Sequence, residues 1–379
     1  MSTRRIIVTS VLALGALTSA VKAADAPAAK WYDKVTLGGY VEAYYQQGFT
    51  ESGSSMLAVT PRAFDTKQNQ FQFGGGELTF ATADDKSKTS YYLDLLMGPK
   101  ADVVNANNGL AASNFMVGQA FVTKTLGDAK FSFGKFVTPL GTEVISTPGN
   151  LNYSRSILFG SIPYYEVGLK VDYTLPASFV LTGMLDNGNS VDSAANNGKG
   201  YGAMLTYSGI KGLSLMGCWY SAPVIVAGDL SNQHFLDVVG GYTFTDTLSI
   251  NAEYLYTTTL DPKPATTTPV MYTPVSPKTQ GYAVYVNWTT PMAGLSVIPR
   301  FEQYYQPDAN NTDGGLVPMG YGTVDNSSTL TLKYADGPLT HYLEYRADAS
   351  NLYKYAGSKP ADPMTQIQQT VTYAAMYGF

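Results

Sequence analysis

The 379-residue sequence has one cysteine, Cys218, and two histidines, His234 and His341. A lone thiol excludes an intramolecular disulfide framework and a C-x-x-C metal or redox site, so packing and backbone hydrogen bonds must hold the fold. The histidines lie in distant segments, and neither H-E-x-x-H nor G-x-S-x-G occurs. No nucleophile, base or metal cluster is assembled by spacing, so no enzyme, metal or cofactor is expected. A Ser and a His meeting across the fold would be the remaining route to a hydrolase. Charged residues are scarce, at 14%, which argues against an ordinary soluble enzyme. After the N-terminal segment no run approaches the roughly 18 apolar residues of a spanning helix. Strands are then the way this chain can enter a membrane.

The N-terminus points to export. Arg4 and Arg5 precede an apolar stretch over residues 6–20, and Val21-Lys22-Ala23 offers small residues at a cleavage site. Residues 1–23 read as a removed signal peptide. A membrane anchor is the alternative, but the run falls short of the roughly 20 residues that span hydrocarbon and contains Thr9, Ser10 and Gly15. Losing Arg4, Arg5 and Lys22 leaves 21 basic against 29 acidic residues, a net charge of −8. An acidic chain of this kind is not a nucleic-acid binder.

What the sequence has in quantity is Tyr, at 29, and Gly, at 37, with a mean hydropathy near zero. Between residues 367 and 379, Ile367, Val371, Tyr373, Ala375, Tyr377 and Phe379 alternate with Gln368, Thr370, Thr372, Ala374 and Met376. Such a period of two marks a strand with one greasy face. The pattern recurs at 35–46, 90–97, 166–175, 248–256 and 295–302. Runs of this length reach the 9–11 residues, or about that, of a tilted membrane strand and exceed the usual strand of a soluble sandwich. Tight turns, such as Leu126-Gly127-Asp128 and Thr245-Asp246-Thr247, alternate with long polar connections near 48–69, 99–112, 139–163, 188–197, 223–233, 260–279, 307–326 and 349–365. The expected fold is all-β: a transmembrane antiparallel barrel of about 16 strands, with a range of 14 to 18, short periplasmic turns and long external loops. Residues 24–379 form a single domain in this reading. Gly74-Gly75-Gly76 marks a place where one strand bulges or breaks. Ala24 to Asp33 is too short to plug such a barrel.

Candidate functional residues follow from the same parity. Residues 139–163, the third external connection, carry Glu143, Asn150, Tyr153, Ser154 and Arg155. Folded inward, they would form a pore constriction offering donors and acceptors to a hydrated solute; lying across the mouth is the alternative. Glu42, Asp94, Lys170, Asp172, Glu253, Arg300, Glu302, Lys333, Glu344 and Arg346 fall on the polar face and read as lumen wall. Their acidic surplus, with that of the chain, suggests a weak cation preference. Tyr pairs near strand ends suit interfacial girdles, while Tyr40, Tyr44, Tyr92, Tyr304 and Tyr342 face inward and could form a sugar-stacking track.

Gly141-x-Glu143, Asn150-x-x-Tyr153-Ser154-Arg155-Ser156, Ile162-Pro163 with Gly168, and Asn187-Gly188 resemble the OmpL-like family of outer-membrane β-barrel porins. Two features that the family often carries are missing: a histidine near Glu166 and a tryptophan after Asn187-Gly188. The resemblance implies passive diffusion of small hydrophilic solutes across the outer membrane of a Gram-negative bacterium, and assembly as a homotrimer. Outer-membrane lipid and the barrel-assembly machinery, engaged through the strand ending in Phe379, are the other expected partners. Two further readings stay open: a structural or adhesive barrel acting through its external loops, and a selective sugar or peptide channel.

Overall fold

Period-two patterning becomes one continuous antiparallel ladder. The computed structural model describes residues 34–49, 62–107, 113–193, 197–226, 229–259, 278–306, 323–352, 355–359 and 362–379. The leader expected at 1–23 lies outside them, as do most of the connections at 48–69, 260–279 and 307–326. The compact unit is Thr36–Phe379. Its strands are β1 (Thr36–Gly48), β2 (Gln70–Asp84), β3 (Thr89–Met97), β4 (Phe115–Leu126), β5 (Ala129–Val137), β6 (Tyr165–Leu175), β7 (Phe179–Asp186), β8 (Gly200–Tyr207) and β9 (Leu213–Val226). They continue with β10 (Asp229–Thr245), β11 (Leu248–Thr259), β12 (Thr279–Thr289), β13 (Leu295–Gln306), β14 (Thr323–Asp336), β15 (Leu339–Ser350), β16 (Tyr355–Lys359), β17 (Asp362–Thr365) and β18 (Ile367–Gly378). Neighbours in sequence pair in turn, and β18 joins β15 to β1, which closes a barrel of sixteen strands. β16 and β17 form a separate two-stranded sheet.

Closure depends on the two outermost strands. Tyr40 to Gly48 pair with Gly378 to Thr370, and Gly39 and Phe379 exchange backbone hydrogen bonds of 3.2 and 3.0 Å. Every strand edge in the ring is thereby covered, as a structure in hydrocarbon requires. The outward face is apolar: Leu37, Val41, Phe133, Leu181, Leu332, Leu343 and Tyr373 are all exposed. Leu343, 47% exposed, sits mid-strand in β15 between Leu332 and Tyr373. Leu343→Arg is expected to cost about 2–4 kcal/mol, the penalty for a cation on a barrel's lipid face. Denaturant unfolding from lipid vesicles measures this, and an unchanged midpoint would contradict a lipid-facing Leu343.

The glycine run of β2 does bulge. The register between β1 and β2 shifts at Glu42/Ala43, leaving Gly74 unpaired. A Cβ on Gly74 would lie 2.8 Å from Glu42 Cγ and 3.0 Å from the Tyr153 hydroxyl, and Gly75 has a φ of +130°. Glycine is therefore what lets the strand bend here against interior side chains.

Three connections differ from expectation. Residues 223–233 are mostly strand, since β9 runs to Val226 and β10 starts at Asp229; Pro223 pairs with Asn232 although it donates no hydrogen bond of its own. Residues 99–112 include helix α1 (Pro99–Asn107). Pro99 suits a first helical turn, and Ala101 and Val104, one turn apart, bury one face against Leu96, Met116, Phe159 and Tyr164. Residues 349–365 hold the end of β15 and the β16–β17 hairpin.

Candidate functional site

Sixteen strands enclose more space than their own inward side chains fill. At the loop end this space is taken by residues 138–164, the connection from β5 to β6. An irregular segment buried in protein carries backbone donors that no ladder satisfies. Here the wall supplies acceptors. Asp237 accepts from the Gly141 N–H at 2.5 Å and Glu253 from Thr142 at 2.9 Å. Glu344 accepts from Tyr153 at 2.8 Å and Ser154 at 3.1 Å, and Glu302 from Ile157 at 2.5 Å. Glu143 closes the segment on itself by accepting from Ser156 at 2.6 Å.

The carbonyl groups meet cations. Arg300 on β13 donates to the Ser154 carbonyl at 2.7 Å and pairs with Glu143 at 2.9 Å and Glu302 at 2.8 Å. Arg346 on β15 donates to the Arg155 carbonyl at 2.6 Å and pairs with Asp348 at 2.7 Å. Arg155 donates to the carbonyls of Val144, Tyr153 and Ile145 at 2.6 to 2.8 Å. Asn152 reaches the Ile298 carbonyl at 3.1 Å and Thr331 at 2.7 Å. Charge-assisted bonds of this kind are the strong ones, and in a buried setting both partners need each other.

Glu143, Asn150, Tyr153, Ser154 and Arg155 are thus brought together inside the barrel, but all five are buried. Their polar atoms are largely engaged by the wall and by the segment itself, which corrects the expectation that these particular groups are presented to a solute. All ten residues read as lumen wall lie on the face opposite the exposed apolar side chains. Glu42, Asp94, Glu253, Arg300, Glu302, Glu344 and Arg346 are buried there, whereas Lys170, Asp172 and Lys333 keep partial exposure. The aromatic track is also revised. Tyr153 packs between Tyr44 and Tyr342, with ring centroids 5.7 and 5.6 Å apart, and Tyr40 belongs to the same cluster. Tyr304 is buried as well; Tyr92 keeps some exposure and packs on Phe121 at 5.6 Å. The histidines lie on the outer parity: His234 stacks on Trp219, and His341 hydrogen-bonds the Tyr373 hydroxyl at 2.9 Å.

Other members of the network are absent from the sequence reading. Arg62 joins Asp65 at 2.8 Å and Asp348 at 2.9 Å. Asp237 and Asp348 could have been found by extending the parity of β10 and β15, since Asp348 follows Arg346 by two. Arg62 and Lys100 sit in connections, where no periodicity marks them. Lys100 of α1 pairs with Glu42 at 2.5 Å and contacts Thr147 and the Tyr40 hydroxyl.

Burial pushes the Lys100 ammonium down to about 8, against the pull of Glu42 and Glu77 and assisted by Arg155. An unfolded lysine titrates near 10.4, so between about pH 8 and 10.4 the unfolded chain holds the extra proton. Stability from this group therefore rises with pH across that window, and its cost is fully present below it. Lys100→Met is expected to remove that rise in urea unfolding curves measured in micelles; identical pH slopes for both proteins would refute it.

Towards the turn end the interior is less filled. Inward residues there, including Met204, Asn251 and Asn287, keep partial exposure. A closed sixteen-strand ring with an apolar exterior, short turns at one end and a long connection packed inside defines an outer-membrane porin-type barrel. The chain belongs to the family described as "Putative beta-barrel porin-2, OmpL-like", whose model matches residues 34–379. A search of curated proteins finds no match. Among solved structures, the fold is similar to the outer membrane channel DcaP of Acinetobacter baumannii, with a TM-score of 0.60 and 13% identity over 91% of this chain and 97% of that one. The anion-selective porin from Comamonas acidovorans gives 0.59 and 13% over 91% and 99%. The trimer form of OmpT from Vibrio cholerae gives 0.58 and 13% over 92% and 100%.

Proposed function

We propose that residues 24–379 act as one outer-membrane channel domain for passive diffusion of small hydrophilic solutes, narrowed by residues 139–163. The supporting observation is the contrast along the barrel axis: a loop half filled by a segment bonded to the wall, and a turn half in which many inward side chains, Met204, Asn251 and Asn287 among them, keep partial exposure. This architecture serves diffusion rather than catalysis, because Glu143, Arg300, Glu302, Glu344 and Arg346 are engaged by each other and by the segment's backbone. A weak cation preference would require that wall carboxylates meet the permeating ion. The homotrimer implied by resemblance to porins, and delivery by the barrel-assembly machinery through β18, belong to the same proposal. Incorporation of the purified protein into planar bilayers is expected to give stable single-channel steps. A correctly folded protein that gives none would favour a structural barrel acting through its loops.

A further inference from the structure

Two sets of interior charges stand apart. Glu42, Asp237, Glu253, Glu302 and Glu344 are buried, and each meets a backbone N–H of the inward segment or a basic side chain. Lys170 and Lys333 differ. Lys170 lies over the Phe136 ring at 5.0 Å, and Lys333 lies over Tyr342 at 5.3 Å while donating to the Asn150 carbonyl at 3.0 Å. Neither forms an ion pair among the described residues, and both keep partial exposure.

Parity allows the water-accessible wall to be read directly. Among described inward-facing strand residues that keep exposure, the charged ones are Lys130, Lys170, Asp172 and Lys333. Asp172 lies 3.9 Å from Lys130 and also acts on Lys170, so this wall carries three ammonium groups to one carboxylate, and the ammonium groups on opposite strands are Lys170 and Lys333. They stand on β6 and β14, which are eight places apart in the ring of sixteen, so they face each other across the lumen. An ammonium with an aromatic wall on one side and water on the other attracts anions more strongly than the same group in bulk solvent.

Resting on the channel reading, we propose that the turn half of the lumen is an anion-selecting vestibule, in which Lys170 and Lys333 on opposite walls bind small inorganic or carboxylate anions in transit. The net charge of the chain misleads here because it counts carboxylates that no permeating ion can reach.

Reversal potentials in a potassium chloride gradient test this, with chloride as the probe. The wild-type channel is expected to prefer chloride over potassium. Lys170→Gln with Lys333→Gln should lower the permeability ratio by roughly two- to threefold, the scale of a partly screened charge in water, while Lys170→Arg with Lys333→Arg should preserve it. Each glutamine is also measured alone, so that a double variant that fails to fold leaves the comparison intact. Potassium preference in the wild type, or a chloride preference that the glutamines do not move, would overturn the vestibule and leave the channel standing. Complete absence of conductance would defeat the channel reading and this inference with it.

Discussion

Arg300→Ala is expected to destabilise the folded protein by about 3–5 kcal/mol, the usual cost of removing one partner from a buried charge pair. Arg300 has no solvent exposure and lies between Glu143 and Glu302 while donating to the Ser154 carbonyl and hydroxyl. Alanine would leave two carboxylates in an interior that offers them fewer donors, and would free the Ser154 carbonyl. Arg300→Lys keeps the charge but not the planar fork that serves several acceptors at once, so an intermediate loss is expected. Urea or guanidinium unfolding in micelles measures both. A loss under about 1 kcal/mol for the alanine variant would match an exposed pair rather than a buried one and would remove Arg300 from the centre of the network.

Deletion of residues 150–156 is expected to raise single-channel conductance, roughly doubling it or more, because it removes the part of the inward connection that crosses from β13 to β15. That stretch supplies the Asn152 bonds to Ile298 and Thr331, the Tyr153 and Ser154 donors to Glu344, and the Arg155 carbonyl that Arg346 reaches. Its loss takes the Tyr153 and Ser154 donors from Glu344 and exposes that carboxylate to water, so the deleted channel should also shift towards cations relative to the wild type. Unchanged step size with a correctly folded barrel would mean that the current bypasses this segment.

Parity carried much of the fold. The alternation of β18, with Tyr373 and Tyr377 outward and Thr372 and Ala374 inward, is the same in sequence and structure, and the sixteen strands follow from the alternation of tight turns with long connections. Residues 223–233 were less legible, because Pro223 and the polar Ser231, Asn232 and Gln233 look like a loop although they extend a hairpin beyond its neighbours. Helix α1 was hidden by its short length. At the site, parity shows which way Glu344 or Arg300 points but not what stands opposite. Whether a wall carboxylate meets water or a backbone N–H depends on the path of residues 138–164, and no period in the sequence encodes that path. Lys170 and Glu253 are alike as polar residues at inward positions; only the packing of the segment separates them.

The ring is sealed by its first and last strands, Tyr40 opposite Gly378. The contact that completes the barrel therefore has nearly the greatest sequence separation the chain allows, and high contact order of this kind slows folding. Until β18 arrives, β1 and β15 each present an unmatched edge, an invitation to pair with the wrong chain. A synthesis intermediate that stops short of residue 367 should behave as an aggregation-prone open sheet, and its survival in the cell would depend on chaperones that keep those edges apart.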